Sequence, residues 1–240
     1  MEITKVWALY YSATGTTDKA VNTIAEELAA QLTLPIERLS FTRPAERTGT
    51  HLFTAEDLVV VGSPTYAGRL PNKIAPDFRS GLRGEGTPAV PVVLFGNRSY
   101  DNALAELWSV LMNNGFHPVA AGAFVGRHAF TDKLGEGRPD WDDKRQMRQF
   151  AAQIAGKLRS GRGETVAVPD APYYIPKGVD GEPVKFLQAK PRTDPGKCTN
   201  CGACARLCPM GAIDPRDVFR VPGTCIKCQC CVRKCTRHAK

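Results

Sequence analysis

The chain predicts an α/β protein, an open and mostly parallel sheet covered by helices, with a small α+β module at its C-terminal end. Three observations carry this expectation. Apolar strand-like runs alternate with segments of helical period through residues 1–160. A hydroxyl-rich turn joins the first run to the first helical segment. All nine cysteines fall within residues 198–240.

The first run, Lys5–Tyr11, is rich in aromatic and β-branched residues and leads directly into Ser12-Ala13-Thr14-Gly15-Thr16-Thr17. From Thr16 to Leu32 the apolar residues Ala20, Ile24, Ala25, Leu28 and Leu32 fall near helical spacing. Further strands are expected at Pro35–Phe41, Leu58–Gly62, Ala89–Phe95 and Pro118–Phe124, and helices at Pro71–Leu82, Asp101–Asn114 and Pro139–Ser160. This is the rhythm of βαβ units, whose ligands lie beyond the C-terminal ends of the strands.

The functional candidates stand at those ends. In the first turn, the hydroxyls of Ser12, Thr14, Thr16 and Thr17 join the N–H groups and dipole of a helix N-terminus, a combination suited to phosphate, and Gly15 supplies the tight turn. The turn lacks the lysine of G-x-x-x-x-G-K-[ST] and the glycines of G-x-G-x-x-G; ordinary Ser/Thr capping is the alternative role. After the third strand come Ser63-Pro64-Thr65-Tyr66-Ala67-Gly68-Arg69, and after the fourth Gly96-Asn97-Arg98-Ser99-Tyr100. Each loop pairs an aromatic able to stack on a flat ring with small residues, although either tyrosine has loop closure as its alternative role.

The first turn resembles the [ST]-x-T-G-x-T loop with which flavodoxins hold the phosphate of FMN, and the two later loops resemble those that sandwich its isoalloxazine. The resemblance implies a flavodoxin-like doubly wound sheet of order 2-1-3-4-5. It also implies FMN held by Ser12, Thr14, Gly15, Thr16 and Thr17 at the phosphate, and by Pro64, Thr65, Tyr66, Gly68, Gly96, Asn97, Arg98 and Tyr100 at the ring.

Cys198, Cys201, Cys204 and Cys208 read C-x2-C-x2-C-x3-C, followed by Pro209; Cys225, Cys228, Cys231 and Cys235 repeat the spacing. Paired zinc knuckles use a different pattern, and a disulfide scaffold fits poorly in a chain with no secretory signal and no cysteine elsewhere. The segment resembles the bacterial two-cluster ferredoxin, in which the last cysteine of each run crosses to the other cluster. That implies one [4Fe–4S] cluster on Cys198, Cys201, Cys204 and Cys235 and a second on Cys225, Cys228, Cys231 and Cys208. Thr236 replaces the proline of the first run, so a looser second turn is expected. Cys230 is read as a non-ligand.

The formal charge is +8, and from Pro191 onward ten Lys or Arg face only Asp194, Asp214 and Asp217. Two oxidised clusters of about −2 each offset much of this, which disfavours nucleic acid and points to an acidic redox partner protein or to compensation of cluster charge. No apolar run reaches membrane-spanning length, so no membrane association is expected, and the cytoplasm is the expected location. The histidines are scattered and are read as surface or loop residues rather than ligands, His51 and His238 in loops and His117 and His128 following or flanking the last strand. The acidic residues Asp132, Glu136, Asp140, Asp142 and Asp143 are expected to favour the N-terminus of the last long helix, with docking of the basic module as the alternative.

The expected domains are 1–160, a Pro/Gly-rich connector at 161–190 anchored by Tyr173, Tyr174, Ile175, Phe186 and Leu187, and 191–240. Together they resemble the flavodoxin–ferredoxin fusion family. The resemblance implies an electron carrier between two [4Fe–4S] clusters, FMN and partner proteins. Reduction of a small acceptor at the flavin and a regulatory iron–sulfur role on nucleic acid are the alternatives.

Overall fold

The structure, a computed structural model, describes residues 2–161, 168, 177–183 and 189–240. In chain order the elements are β1 (Lys5–Tyr10), α1 (Thr16–Leu32), β2 (Ile36–Ser40), β3 (His51–Phe53), β4 (Asp57–Pro64), α2 (Ala75–Gly81), β5 (Leu82–Gly84), β6 (Thr87–Phe95), α3 (Ala103–Asn113), β7 (Phe116–Pro118), β8 (Gly122–Val125) and α4 (Trp141–Arg159). Two single-turn helices, α5 (Ala203–Arg206) and α6 (Cys230–Arg233), follow.

The main sheet runs β2-β1-β4-β6-β7, with β8 also on β6, and every pairing is parallel. With β7 and β8 taken as one interrupted edge strand and β3 and β5 set aside, this is the flavodoxin-like order 2-1-3-4-5. A parallel sheet is buried on both faces, and the two-residue side-chain period divides its residues between two cores. Val6 and Ala8 of β1 and Leu58 and Val60 of β4 pack with Ile24 and Leu28 of α1 and with Met147 and Ile154 of α4. Leu9, Val59 and Val61 face the other way, onto Phe78 of α2 and Leu107 and Leu111 of α3. The layers sit close: a Cβ on Gly62 of β4 would stand 2.1 Å from Val21 Cγ2 of α1.

Four details depart from expectation. His51 lies in β3, which forms a small parallel pair with β5, not in a loop. The last strand is broken between Pro118 and Gly122. Helix α2 begins at Ala75 rather than Pro71, because Pro76 has no N–H to donate and fits only the first helical turn. Helix α3 begins beyond Asp101, whose φ of +43° is left-handed. The expected connector anchors lie outside the described residues.

The acidic stretch serves both roles weighed for it. Asp140 caps α4, accepting from Asp143 N at 3.0 Å, while the Asp143 carboxylate accepts from Asp140 N at 2.9 Å. Asp132 instead docks the C-terminal module, meeting Arg233 Nη1 of α6 at 2.5 Å. Arg233 Nη2 also donates to the carbonyl of Ala129 at 3.1 Å, and Cys228 and Cys230 complete the α2/α3 core.

Candidate functional site

A cavity of about 500 Å³ opens at the C-terminal ends of β1, β4, β6 and β8. It is the size of ordinary small-molecule sites. Thr14, Thr16 and Thr17 from the first turn, Pro64, Thr65, Tyr66 and Gly68 from the second loop, and Gly96 and Arg98 from the third line it. Gly15 takes φ +93° as the N-cap of α1. Ser12 is committed locally, since its Oγ accepts from Asp18 N at 3.0 Å. Asn97 and Tyr100 lie outside the wall; Tyr100 is 39% exposed, with its ring 5.5 Å from that of Phe95, which does line the cavity.

The second and third loops are joined to each other. Asn102 N donates to the Gly68 carbonyl at 3.0 Å, and Asp101, paired with Arg98, fills the space where a Cβ of residue 68 would stand. With φ +79°, Gly68 is the one residue type that fits there.

Two hydroxyls in the wall await partners. Thr65 Oγ1 is buried without a hydrogen-bond partner. Thr17 is only 2% exposed and has no side-chain hydrogen bond among the described residues. Its methyl lies toward Gly62, 3.0 Å from where a Cβ there would be, and the residue lines the cavity. Tyr66 lies beside Tyr11, and burial raises both phenols, leaving them protonated donors. Unpaired hydroxyls, a helix N-terminus and an aromatic in one cavity suit a flat polar ring bearing a phosphate.

Sequence reasoning missed two walls. One is the loop after β8, Gly126 to Phe130, which the strand-end rule would have found. The other, Thr224 to Cys228, comes from the cysteine module and has no local signal.

That module is a structural repeat. The N–H of Asn200 points to Cys198 Sγ at 3.4 Å as that of Lys227 does to Cys225 Sγ at 3.4 Å; Ala212 and Cys208 at 3.3 Å are matched by Ala239 and Cys235 at 3.3 Å. Left-handed Asn200, Gly202 and Gly211 are matched by Lys227, Gln229 and His238. The expected loosening at Thr236 is therefore absent. His238 N closes onto the Cys235 carbonyl at 3.1 Å as Gly211 N does onto that of Cys208, because backbone conformation, not the proline ring, sets the turn.

A second cavity of about 200 Å³ collects Cys208 of the first run with Cys225, Cys228 and Cys231 of the second. The backbone N–H groups aimed at sulfur suit thiolates. Among the described residues no three His, Cys, Asp or Glu side chains close on a single-ion position; a four-iron cube holds its thiolates further apart. Cys230 also lines this cavity, but its Sγ faces the Leu207 carbonyl at 3.2 Å, and burial pushes its thiol up to about 12. In the repeat it stands where Ala203 does. Cys201 is exposed.

Residues 191–214 match the family described as the 4Fe-4S binding domain. No curated protein matches the chain. Among solved structures, a Streptococcus pneumoniae TIGR4 flavodoxin is 20% identical with a TM-score of 0.45, over 64% of this chain and 99% of that one. A flavodoxin from the domain Archaea is 14% identical with a TM-score of 0.42, over 65% and 99%. Rubredoxin oxygen:oxidoreductase of Desulfovibrio gigas is 19% identical with a TM-score of 0.46, over 66% of this chain and 37% of that one.

Proposed function

We propose that the protein is an electron-transfer iron–sulfur flavoprotein. FMN would occupy the larger cavity, one [4Fe–4S] cluster the thiols of Cys208, Cys225, Cys228 and Cys231, and a second those of Cys198, Cys201, Cys204 and Cys235. The observation that carries this reading is a shared wall: Cys225, Ile226, Lys227 and Cys228 line both cavities. One ligand loop would thus separate flavin from cluster, within a single chain.

When bound, FMN accepts one or two electrons and each cube one, which suits the set to linking one-electron carriers with a two-electron step. The chain's residues supply position and polarity. Thr14, Thr16 and Thr17 with the α1 N-terminus would hold the phosphate, and Thr65 Oγ1 would meet a ring heteroatom. N–H groups of Asn200, Ala212, Lys227 and Ala239 stabilise charge on sulfur. Cys201 is exposed and its carbonyl accepts from Arg206 Nη1 at 2.8 Å, which supports this basic side as the one on which an acidic redox partner would dock. Among the described residues no helix is long and apolar enough to cross a membrane; a cytoplasmic location is part of the proposal.

An anaerobic reductive titration with visible absorbance tests the assignment. Uptake of about four electrons per chain is expected, with flavin and iron–sulfur bands bleaching separately. Uptake of about two with no flavin band removes FMN from the proposal.

A further inference from the structure

We infer that Lys234, on the cysteine module, is a ligand of the flavin phosphate at the N-terminus of α1, so that one phosphate site is built from both modules. The inference rests on the FMN reading above and adds to it a determinant of flavin choice.

The geometry starts at Gly15. A Cβ added there would find one heavy atom within 4 Å, Lys234 Nζ at 3.6 Å. The ammonium of a residue from the far end of the chain therefore stands over the turn that carries Thr14, Thr16 and Thr17. Among the described residues it has no carboxylate, carbonyl or hydroxyl partner. Lys234 is the C-cap of α6, and the neighbouring Arg233 is fixed to Asp132 and to the carbonyls of His128 and Ala129. That clamp holds the backbone of Lys234 in place while its side chain reaches the turn.

The second observation comes from the other wall. Thr17 is buried, lines the cavity and turns its methyl to Gly62, and Thr65 Oγ1 of the same cavity is buried without a hydrogen-bond partner. The helix N-terminus faces this space with positive partial charge, and Asp18 is the one acidic residue of the first turn. Lys234 is exposed and lies outside the cavity wall proper, but its ammonium stands beside the turn at Gly15. The turn's hydroxyls and N–H groups together with that ammonium match a phosphate dianion and have nothing to offer an uncharged group.

Two consequences follow. Flavin bearing a phosphate should be preferred over riboflavin by more than the turn alone provides. Flavin retention should also depend on the cysteine module being folded and docked, because the ammonium leaves with it; by linkage, bound FMN would in turn stabilise the docked module.

The test titrates FMN and riboflavin separately onto the flavin-stripped full chain with its iron–sulfur clusters intact, for the parent protein, Lys234→Gln and Lys234→Arg. Iron content and cluster absorbance report the state of the module. Lys234→Gln is expected to weaken FMN about tenfold, to leave riboflavin unchanged and to keep its iron, whereas Lys234→Arg stays within about twofold of the parent for FMN. Unchanged FMN affinity in Lys234→Gln, or equal weakening of both flavins, overturns the inference while the FMN reading stands. A parent protein that binds neither flavin removes both.

Discussion

Arg47 Nη2 donates to the carbonyl oxygen of Pro209 at 2.8 Å, so one guanidinium fastens the α/β unit to the turn that follows Cys208. The same group pairs through Nε with Asp77 at 2.6 Å and donates to the Thr42 carbonyl; its side chain is only 7% exposed. The turn it holds is the one in which Ala212 N points to Cys208 Sγ at 3.3 Å. Arg47 therefore bears on a proposed cluster ligand without touching it.

Arg47→Met should leave the Pro209 carbonyl and Asp77 without this partner. Because Asp77 is about a third exposed, a loss of about 2 kcal/mol is expected rather than the larger cost of breaking a fully buried pair. Urea unfolding followed through both flavin fluorescence and iron–sulfur absorbance would read it. The iron–sulfur band should bleach at lower urea than in the parent, and coincident midpoints unchanged from the parent would show that Arg47 is not a clamp.

The layout of the α/β unit was legible because its signals are local and periodic. In β1 through α1, alternation gives way to three-and-four spacing across a single hydroxyl-rich turn, and the two cysteine runs repeat position for position. The pair β3 and β5 was not legible, since three residues are too few to show a period. Nor was the wall formed by Thr224 to Cys228. Contacts such as Lys234 over Gly15 join residues far apart in the chain, and nothing in the local pattern of either partner records the other. Tyr66 and Tyr100 looked alike in sequence; only the packing of Tyr100 on Phe95 at the rim separates them.

Cys230 provides a direct check on the ligand sets. Its counterpart in the repeat is Ala203, a residue that cannot bind metal, and its Sγ already faces Leu207 O. Cys230→Ala should retain the parent's iron content and both cluster signals. Cys208→Ala should lose about four irons per chain, together with the signal of the cluster nearer the flavin. Iron analysis and electron paramagnetic resonance on the reduced proteins decide the point; iron loss in Cys230→Ala would make it a ligand.

Tyr11 is fully buried beside the Tyr66 phenol, and its hydroxyl makes no hydrogen bond of ordinary geometry among the described residues. Burial above all, and then the nearby Cys228 thiol, pushes its phenol pKa upward, so it stays protonated across the working pH range. An unpaired buried hydroxyl costs stability, whereas a phenyl ring in the same place does not. Tyr11→Phe should therefore raise unfolding stability by about 1 kcal/mol in urea titrations. A drop of similar size would show that the hydroxyl is paired in the folded protein.

The start of α4 sets a pH dependence with a definite sign. Burial works against the Asp143 carboxylate, but the Arg138 guanidinium and the Asp140 N–H outweigh it and hold its pKa below the usual carboxylate range. A group whose folded pKa is depressed contributes its full stability above its unfolded pKa, about 3.9 for Asp, and loses it as pH falls through the folded value. Asp143→Asn cannot follow that titration. It should be less stable than the parent by about 1–2 kcal/mol at pH 7, with the gap closing as pH drops below about 4. Thermal or urea midpoints of the two proteins, compared at matched pH from 7 to 3, test this. The comparison cancels any acid loss of iron common to both, and a gap that stays constant to pH 3 would remove Asp143 as the source.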